Sequence, residues 1–468
     1  MNPTEITTQI STAANILNID KWDYGASFSN DYSVQVDRGA AKQLKASQKQ
    51  VITLRVWNKD NLVGITTTSD LSETGIKKAL RQANIASEFG NKNEFTDFSP
   101  LAKDPIQVKE VDKKNPLGIK KLLKILREAE SKLIDSHEAI KSIPYNGLSE
   151  SFYERIYANS DGAFRNFSKS QAAIYLYARA EEKDKKPRSS GSVKLGYGVE
   201  DIDIESCIKE AAKKTIAHLD YSSIKTDKYL ICLSPEAFLT IMNAFSSIFN
   251  ARSIIDGVSL SDKNSIGELI SIPALNIYDD GLNDKNISSA PFDGEGTPTK
   301  KLMLINKGKL ENFLHSESTA KIFNTIPTGH AGLGSKVSVS PDWLVIEKSN
   351  ECSDLNKSLV HTNYQGDFVY IEELNAIHAG VKASQGSFSL PFEGWLYRNG
   401  EKRSIESATV AGDIKYLLKN IINIENEKEL TTSGISPHVW INELSITGDE
   451  WELYFGVRLN IQLKVLKY

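Results

Sequence analysis

The chain has 468 residues, of which 40% are apolar and 25% are charged, and this composition is typical of a soluble globular protein of two or three domains. Its 56 Lys and Arg residues nearly balance its 60 Asp and Glu residues, so the net charge is −4, and no long block of one sign occurs. This balance argues against a nucleic-acid partner.

The sequence lacks the features of membrane and secreted proteins. No apolar run approaches the roughly 18 to 20 residues needed to cross a bilayer, and residues 1–18 have no basic region leading into an apolar stretch. The three cysteines, Cys207, Cys232 and Cys352, are widely spaced and odd in number, which suits free thiols in a reducing compartment. We therefore expect a cytoplasmic protein without a membrane partner.

Residues 24–67 are predicted to form neighbouring antiparallel strands. Alternation of apolar and polar residues is clearest at 32–36 and 51–57. Residues 58–61 have the composition of a hairpin turn and lead into another extended run at 62–67. A small antiparallel sheet is therefore expected near the N-terminus.

A helix is predicted to follow this sheet. Asp70 is a candidate N-cap with Glu73 three residues later, and apolar residues recur at helical spacing as far as Phe89. Residues 91–116 are rich in Asp, Lys and Pro and are predicted to be a linker. Residues 117–140 then have the pattern of a charged amphipathic helix.

The middle of the chain is predicted to contain strands before it becomes helical. A strand-rich block at 145–197 is interrupted by the charged residues 181–188, which are predicted to form a solvated hairpin tip. The pattern then predicts a helix at 204–218 and a strand at 228–233.

A strand-to-helix junction is predicted at Ser234, a candidate N-cap followed by Pro235 at the first helical position. The helix continues over 237–249 as a strongly apolar segment, which indicates burial. The rest of the chain is rich in strands and glycine, with one late helix predicted at 413–422.

Several strings in the second half follow one another in the order and spacing of a known family. Together with residues 32–86 they extend over nearly the whole chain, and on them the sequence resembles the TldD/TldE (PmbA) peptidase family. The matching strings are residues 290–299, 302–310, 318–320, 328–332, 378–380, 386–389, 394–400 and 409–412.

The resemblance implies an α+β fold in two parts. Residues 1–225 are expected to form an N-terminal α+β domain with an antiparallel sheet, and residues 226–468 a C-terminal domain of large curved antiparallel sheets. It also implies that two subunits pair and enclose a channel for extended or unfolded peptides. One subunit of such a pair carries zinc on a helix with a His-Glu-x-x-x-His motif, and a late Cys is the third ligand.

This sequence departs from the family at the metal motif. Residues 234–249, at the place of the metal helix, contain no His, and residues 431–437, where the third ligand is expected, contain no Cys. No two of the seven histidines are three to five residues apart. Since zinc needs imidazole, thiolate or carboxylate ligands in such a pattern, we predict no cofactor in this chain and expect zinc in a TldD-like partner.

The resemblance places candidate peptide-binding or interface residues in the family strings, and none is predicted to be catalytic. For Asp293 and Glu295 a tight turn is an alternative, since their carboxylates can accept backbone N–H groups. His330 and His378 also have a structural alternative. The candidates are Asp293, Glu295, Thr297, Thr328, Gly329, His330, His378, Gly380, Gly386 and Phe388.

The leading prediction is a TldE/PmbA-like subunit, lacking catalytic zinc, of a metallopeptidase that acts on unfolded peptides. One alternative is a non-enzymatic peptide-binding or scaffold protein that forms a homodimer. Another is a metallopeptidase with a relocated metal site, for which His330, His361 and His378 are candidate ligands, with Glu372 and Glu373 shortly before His378.

Overall fold

The computed structural model describes residues 2–90, 96–108, 114–333, 337–350 and 355–448. In these ranges the chain forms a six-stranded sheet, a thirteen-stranded sheet and a two-stranded ribbon. The helices are α1 (Pro3–Ile16), α2 (Glu73–Ser87), α3 (Ile119–Asp135), α4 (Ile204–Ala217), α5 (Pro235–Ala244), α6 (Ala251–Ile255), α7 (Glu317–Phe323), α8 (Ile377–Gly380) and α9 (Ile414–Lys419).

The N-terminal sheet is antiparallel throughout, with the strand order β3-β2-β1-β4-β5-β6. Helices α1 and α2 pack with β1, β2 and β4 in one apolar cluster, and α3 and α4 pack with β1, β4 and β5 in another. The strands are β1 (Lys21–Asp37), β2 (Ala40–Trp57), β3 (Val63–Thr68), β4 (Ile140–Asn159), β5 (Phe164–Ala180) and β6 (Arg188–Gly196).

The larger sheet is built around β8, which lies between β15 and β21. Most pairs are antiparallel, but β8 with β15, β14 with β21 and β7 with β18 are parallel. Its strands are β7 (Tyr221–Ser222), β8 (Asp227–Leu233), β9 (Leu275–Asp279), β10 (Leu302–Asn306), β11 (Lys309–Leu310), β14 (Leu344–Lys348), β15 (Phe368–Leu374), β16 (Val381–Lys382), β17 (Ser387–Arg398), β18 (Glu401–Ile405), β19 (Ala408–Asp413), β20 (Ile421–Leu430) and β21 (Gly434–Gly448), while β12 (Ala331–Gly332) and β13 (Ser338–Val339) form the ribbon.

The predicted α+β class is confirmed, and so are most of the predicted elements. Ser234 caps α5 by accepting a hydrogen bond from Ala237 N at 3.0 Å, and Pro235 occupies the first helical position as predicted. Helix α5 ends at Ala244, and a 3₁₀ turn over Ser246–Phe249 replaces the rest of the predicted helix. Within the described residues, no helix combines the length and apolar character needed to cross a bilayer.

The structure corrects the start of α2 and adds a helix that the pattern did not indicate. Ser72, not Asp70, is the N-cap, because Ser72 Oγ accepts from Gly75 N at 3.1 Å while Asp70 Oδ1 accepts from Ser72 N. Helix α1 was not predicted. It begins with an Asn2 capping box followed by Pro3, and these residues are strong helix-start signals.

The described part of the predicted linker is irregular but firmly packed. Thr96 O accepts a hydrogen bond from Trp57 Nε1 at 2.9 Å, and Asp97 N donates to Glu317 Oε2 at 2.9 Å. The segment therefore contacts both the N-terminal sheet and α7. Residues 91–95 and 109–113 of this prediction lie outside the described residues, as does Cys352, whereas Cys207 and Cys232 are buried free thiols.

Gly64 allows β3 to lie directly against α2, and this contact yields a prediction. A Cβ at this position would stand 1.9 Å from Ala83 O and 2.3 Å from Ser87 N. We expect Gly64→Ala to lower the free energy of unfolding by about 1 to 3 kcal/mol, because the helix must move away from the strand. Urea-induced unfolding measures the change. Thr66→Ala on the same strand is the control, with an expected effect of about 0.5 kcal/mol, and equal effects would contradict the packing argument.

Candidate functional site

The loop at residues 292–299 is buried against the N-terminal sheet and is held by one carboxylate. Asp293 Oδ1 accepts hydrogen bonds from Glu295 N at 2.8 Å and Thr297 N at 2.9 Å. Its Oδ2 accepts from Ala331 N at 2.9 Å, which fastens the loop to the β12 segment. Burial, with the neighbouring charge of Glu295, raises the pKa of Asp293 to about 7. The turn geometry is therefore set by Asp293.

Arg55 is a fully buried cation that joins the N-terminal sheet to this loop. Its Nε and Nη2 bond the two carboxylate oxygens of Asp23 at 2.9 and 2.5 Å, and its Nη1 bonds Glu295 Oε1 at 2.9 Å. Tyr157 Oη donates to Asp23 at 3.1 Å, and Glu317 N donates to the second oxygen of Glu295 at 2.8 Å. Burial would lower the pKa of Arg55, but Asp23 and Glu295 raise it well above its usual value. One guanidinium thus links the N-terminal sheet to the 292–299 loop.

His330 is held between a hydroxyl and a carboxylate next to the same loop. Its Nδ1 lies 2.8 Å from Thr328 Oγ1, and its Nε2 lies 3.2 Å from Asp279 Oδ2. Asp279 also accepts from the backbone N–H groups of Asp342 and Trp343, both at 2.7 Å. Burial lowers the pKa of His330, but the Asp279 carboxylate outweighs this effect and raises it above its usual value. The imidazole is thereby held as a buried partner of Asp279.

The structure brings six of the ten sequence-predicted residues together around this loop. Gly329 has φ +84°, and a Cβ there would lie 2.5 Å from Pro298 O, so only glycine fits the contact. Thr297 Oγ1 donates to Ser99 Oγ at 2.8 Å. The carboxylates of Asp293 and Glu295 and the hydroxyls of Thr297 and Thr328 already bond partners within the chain. The six residues are Asp293, Glu295, Thr297, Thr328, Gly329 and His330.

A cavity of about 390 Å³ opens beside His330, with walls from β4 and β5 of the N-terminal sheet and from loops of the C-terminal half. Lys169 of β5 donates to Ser288 O at 2.6 Å, and burial, followed by the charge of Arg155, lowers the pKa of Lys169 to about 8. On the opposite wall burial raises the pKa of Asp342 to about 6. The cavity therefore holds acidic and basic groups that can change charge near neutral pH.

A second cavity, of about 610 Å³, lies where α5 begins. Glu236 in the first turn of α5 lines it together with Thr431, which follows β20. Lys214 of α4 forms part of the opposite side. Ser288 lines both cavities, so the two follow the junction between the sheets one after the other.

The carboxylates around the second cavity differ in their charge state. Burial, with the charge of Glu393, raises the pKa of Glu373 to about 7. Burial would also raise the pKa of Glu372, but His218, whose Nε2 lies 3.5 Å away, and Lys214 lower it to about 2. Glu372 is therefore ionised at neutral pH, whereas the pKa of Glu373 lies near neutral pH.

The groups at the start of α5 do not fit the zinc site of the family. Glu236 is the one ionisable side chain that α5 presents to the cavity, and burial raises its pKa. Thr431 and Thr432 add hydroxyls on the other side. A zinc site needs imidazole or thiolate ligands beside a carboxylate, and the described residues here provide neither. The next side chains of α5 fill the C-terminal core, namely Ala237, Phe238, Leu239, Ile241 and Met242.

The other four sequence-predicted residues lie apart from the loop, on α8 and the adjoining strands. His378 is exposed on α8, and Gly380 lies against Ser389 O, where a Cβ would come within 2.3 Å. Gly386 adopts φ +81° before β17. Phe388 is buried in the C-terminal core with its ring edge-on to Phe245. This region therefore consists of an exposed imidazole above a packed strand.

The structure corrects the candidate ligand set of a relocated metal site. His330 lies against Asp279, and His378 is exposed on α8, so neither joins His361. His361 instead lies with Glu425 and His438, which sequence reasoning did not select. No spacing signal links them, because 64 residues separate His361 from Glu425. Lys169 and Asp342 were missed for the same reason, as distant strands bring them together.

Two protein-family models match this chain, and together they cover most of its length. Residues 226–448 match the model described as the PmbA/TldA metallopeptidase C-terminal domain. Residues 112–219 match the model described as the central domain of the same group.

Relatives and solved structures extend the similarity to nearly the full length. Metalloprotease PmbA of Escherichia coli O157:H7 is 20% identical over 446 residues, covering 94% of this chain and 95% of the relative. A zinc metalloprotease TldD homolog of Saccharolobus solfataricus is 22% identical over 452 residues, covering 91% and 95%. The crystal structure of a putative modulator of a DNA gyrase from Thermotoga maritima is similar to this chain, with a TM-score of 0.82 and 23% identity. The crystal structure of TldE from Thermococcus kodakarensis is similar with a TM-score of 0.77 and 17% identity. Each similarity covers 95% of this chain and 100% of the solved chain. These structures share its fold.

The buried ion network yields a prediction for stability. We expect Arg55→Met to lower the free energy of unfolding by about 3 to 5 kcal/mol, because Asp23 and Glu295 are left buried without a counter-charge. Urea-induced unfolding is the measurement. Arg179→Met removes an exposed pair with Glu181 and serves as the control, with an expected loss below about 1 kcal/mol. Similar losses in both variants would show that the network does not hold the junction.

Proposed function

Because the chain belongs to the PmbA/TldD metallopeptidase family, we propose that it is a TldE/PmbA-like subunit that binds extended or unfolded peptides without catalytic zinc of its own. Its partner in the cytoplasm is a TldD-like subunit that carries the zinc. The two subunits together form the peptidase.

The observation that carries this proposal is the chemistry of the cavity at the start of α5. The cavity lies where the family places its metal helix, yet Glu236, Thr431 and Thr432 supply only oxygen atoms to it. The space itself remains, at about 610 Å³. A subunit that keeps the cavity but lacks the ligands is suited to holding a substrate that a partner cleaves.

The junction cavities have the size and polarity for a peptide main chain. Volumes of about 390 and 610 Å³ fall within the range of ligand sites, roughly 300 to 1,000 Å³. Their walls carry carboxylates, hydroxyls and ammonium groups that can bond peptide N–H and C=O groups whatever the side chains. Recognition of this kind favours extended segments over folded ones, because a folded chain has already paired its backbone.

Most of the residues predicted from the sequence contribute to this proposal by shaping the cavities. Asp293, Glu295 and Thr297 are buried and bonded within the chain, so they fix the cavity walls. His330 lines the smaller cavity, and because Thr328 and Asp279 hold its ring, it also forms part of the wall. His378 is exposed on α8 and is assigned to the contact with the partner subunit.

Zinc content and peptide hydrolysis test the proposed division of labour. We expect the chain alone, after purification without added metal, to cleave an unstructured peptide no faster than buffer. Mixing it with a zinc-bearing family member that has the His-Glu-x-x-x-His motif should produce cleavage above that of either protein. Peptide binding by a homodimer, with no activity on mixing, would instead favour a scaffold protein.

A variant that obstructs the junction provides a sharper test in the mixed system. Ser288 is exposed and lines both cavities, so Ser288→Trp should weaken peptide binding by at least about tenfold, or about 1.4 kcal/mol. Fluorescence anisotropy of a labelled unstructured peptide measures the affinity. Ser131→Trp, on the exposed face of α3, is the matched control. Equal affinities in the two variants would place the peptide elsewhere.

A further inference from the structure

Two histidines and a glutamate converge on the side of the larger sheet at β20 and β21. Strand pairing sets Ile424 opposite Val439, and Glu425 and His438, the next residue on each side, lie at the irregularity that follows this pair. His361 enters from the segment before β15, and its Nδ1 lies 3.0 Å from Glu425 Oε2. One ligand atom from each of these three side chains lies within 4.8 Å of the other two. Within the described residues, no other group of His, Cys, Asp and Glu side chains meets this condition.

Neighbouring groups hold each of these side chains in place. Trp440 Nε1 and His361 N both donate to Glu425 Oε1, at 2.9 Å each, which leaves Oε2 directed at the imidazole. Tyr370 Oη lies 3.2 Å from His438 Nε2. When His438 Nε2 carries the proton and donates it to Tyr370 Oη, His438 Nδ1 keeps a lone pair that can bind a metal ion. Such outer contacts are typical of metal ligands, whose orientation they fix.

We propose that His361, Glu425 and His438 bind one divalent transition-metal cation, with zinc the best match. Two imidazoles and one carboxylate are the donor set of a three-ligand zinc site. Nitrogen ligands select zinc, cobalt, nickel or copper over magnesium and calcium, which prefer oxygen alone. The cation lies between His361 Nδ1 and Glu425 Oε2, in place of their direct contact. The two rings, stacked with centroids 3.8 Å apart, turn so that each directs one nitrogen at it.

The site leaves room for a further ligand on the cation. His361 and Glu425 line a cavity of about 910 Å³, while the side chain of His438 is only 4% exposed. Polar side chains, including Asn363 and Lys428, also line this cavity. A fourth position on the cation therefore faces solvent, as in zinc sites that bind water or a substrate.

The proposed ligands are not the residues at the place where the resemblance puts the family's zinc, although Tyr370, which contacts His438, also lines the cavity there. That place corresponds here to the start of α5 and to Thr431, whereas the proposed ligands come from β20, β21 and the segment before β15. The inference does not rest on the proposed function. A peptide-binding subunit and a scaffold protein are equally able to carry it.

Metal titration of the full chain tests the proposal. The protein is stripped with EDTA, exchanged into metal-free buffer and titrated with zinc chloride by calorimetry, with bound zinc counted by mass spectrometry. We expect one equivalent of zinc and a rise in Tm, with no competition from a large excess of magnesium. His361→Ala and Glu425→Gln should each weaken the affinity by at least about 100-fold.

Two features of the design keep the outcome clear. Glu425→Gln preserves shape and hydrogen bonding, and its Tm without metal shows whether the variant is folded. His137→Ala removes an exposed histidine outside the site and should bind zinc like the parent. Failure of the parent to bind one equivalent, or equal affinity in the parent and both ligand variants, would overturn the proposal.

Discussion

The guanidinium of Arg55 lies between two carboxylates that are far apart in the sequence, Asp23 in the same sheet and Glu295, 240 residues away from Arg55. Buried charges of this kind are costly to remove from water, so they are tolerated only where geometry satisfies every partner. Glu295 is therefore confined to one place against β2. Because Asp293 fastens the same loop to Ala331, the position of His330 and the shape of the smaller cavity depend on that one contact.

Helices and strands were predicted well where the residues that determine them lie close together in the sequence. The hairpin between β2 and β3 and the Ser234 cap of α5 are examples, since turn and cap residues act on their immediate neighbours. The predicted start of α2 was wrong by two residues because Asp70 and Ser72 are both good cap residues, and their order in the sequence does not show that Ser72 accepts from Gly75 N. The composition of residues 96–108 predicts a linker, because composition does not reveal that Asp97 N donates a hydrogen bond to Glu317 of α7.

The candidate site was only partly accessible from the sequence. Asp293, Glu295 and His330 were selected from strings that follow the family order, and the turn alternative for Asp293 describes its backbone bonds. Lys169 could not be selected, because nothing near it in the sequence shows that β5 faces Ser288. The same holds for the grouping of His361 with Glu425, which depends on how distant segments pack against β20 and β21.

The place of β8 in the larger sheet has a consequence for how the chain is made. Its neighbours are β15 and β21, so a ribosome must add roughly 200 residues after β8 before the second neighbour exists. At synthesis rates of about 5 to 20 residues per second, this takes roughly 10 to 40 s. Until β21 has been made, β8 lacks one of its two neighbours, so the core that later buries Ile231 and Leu233 is incomplete. The nascent C-terminal half is thus a natural client for chaperones, whereas the strands of the N-terminal sheet are all synthesised before β8 begins.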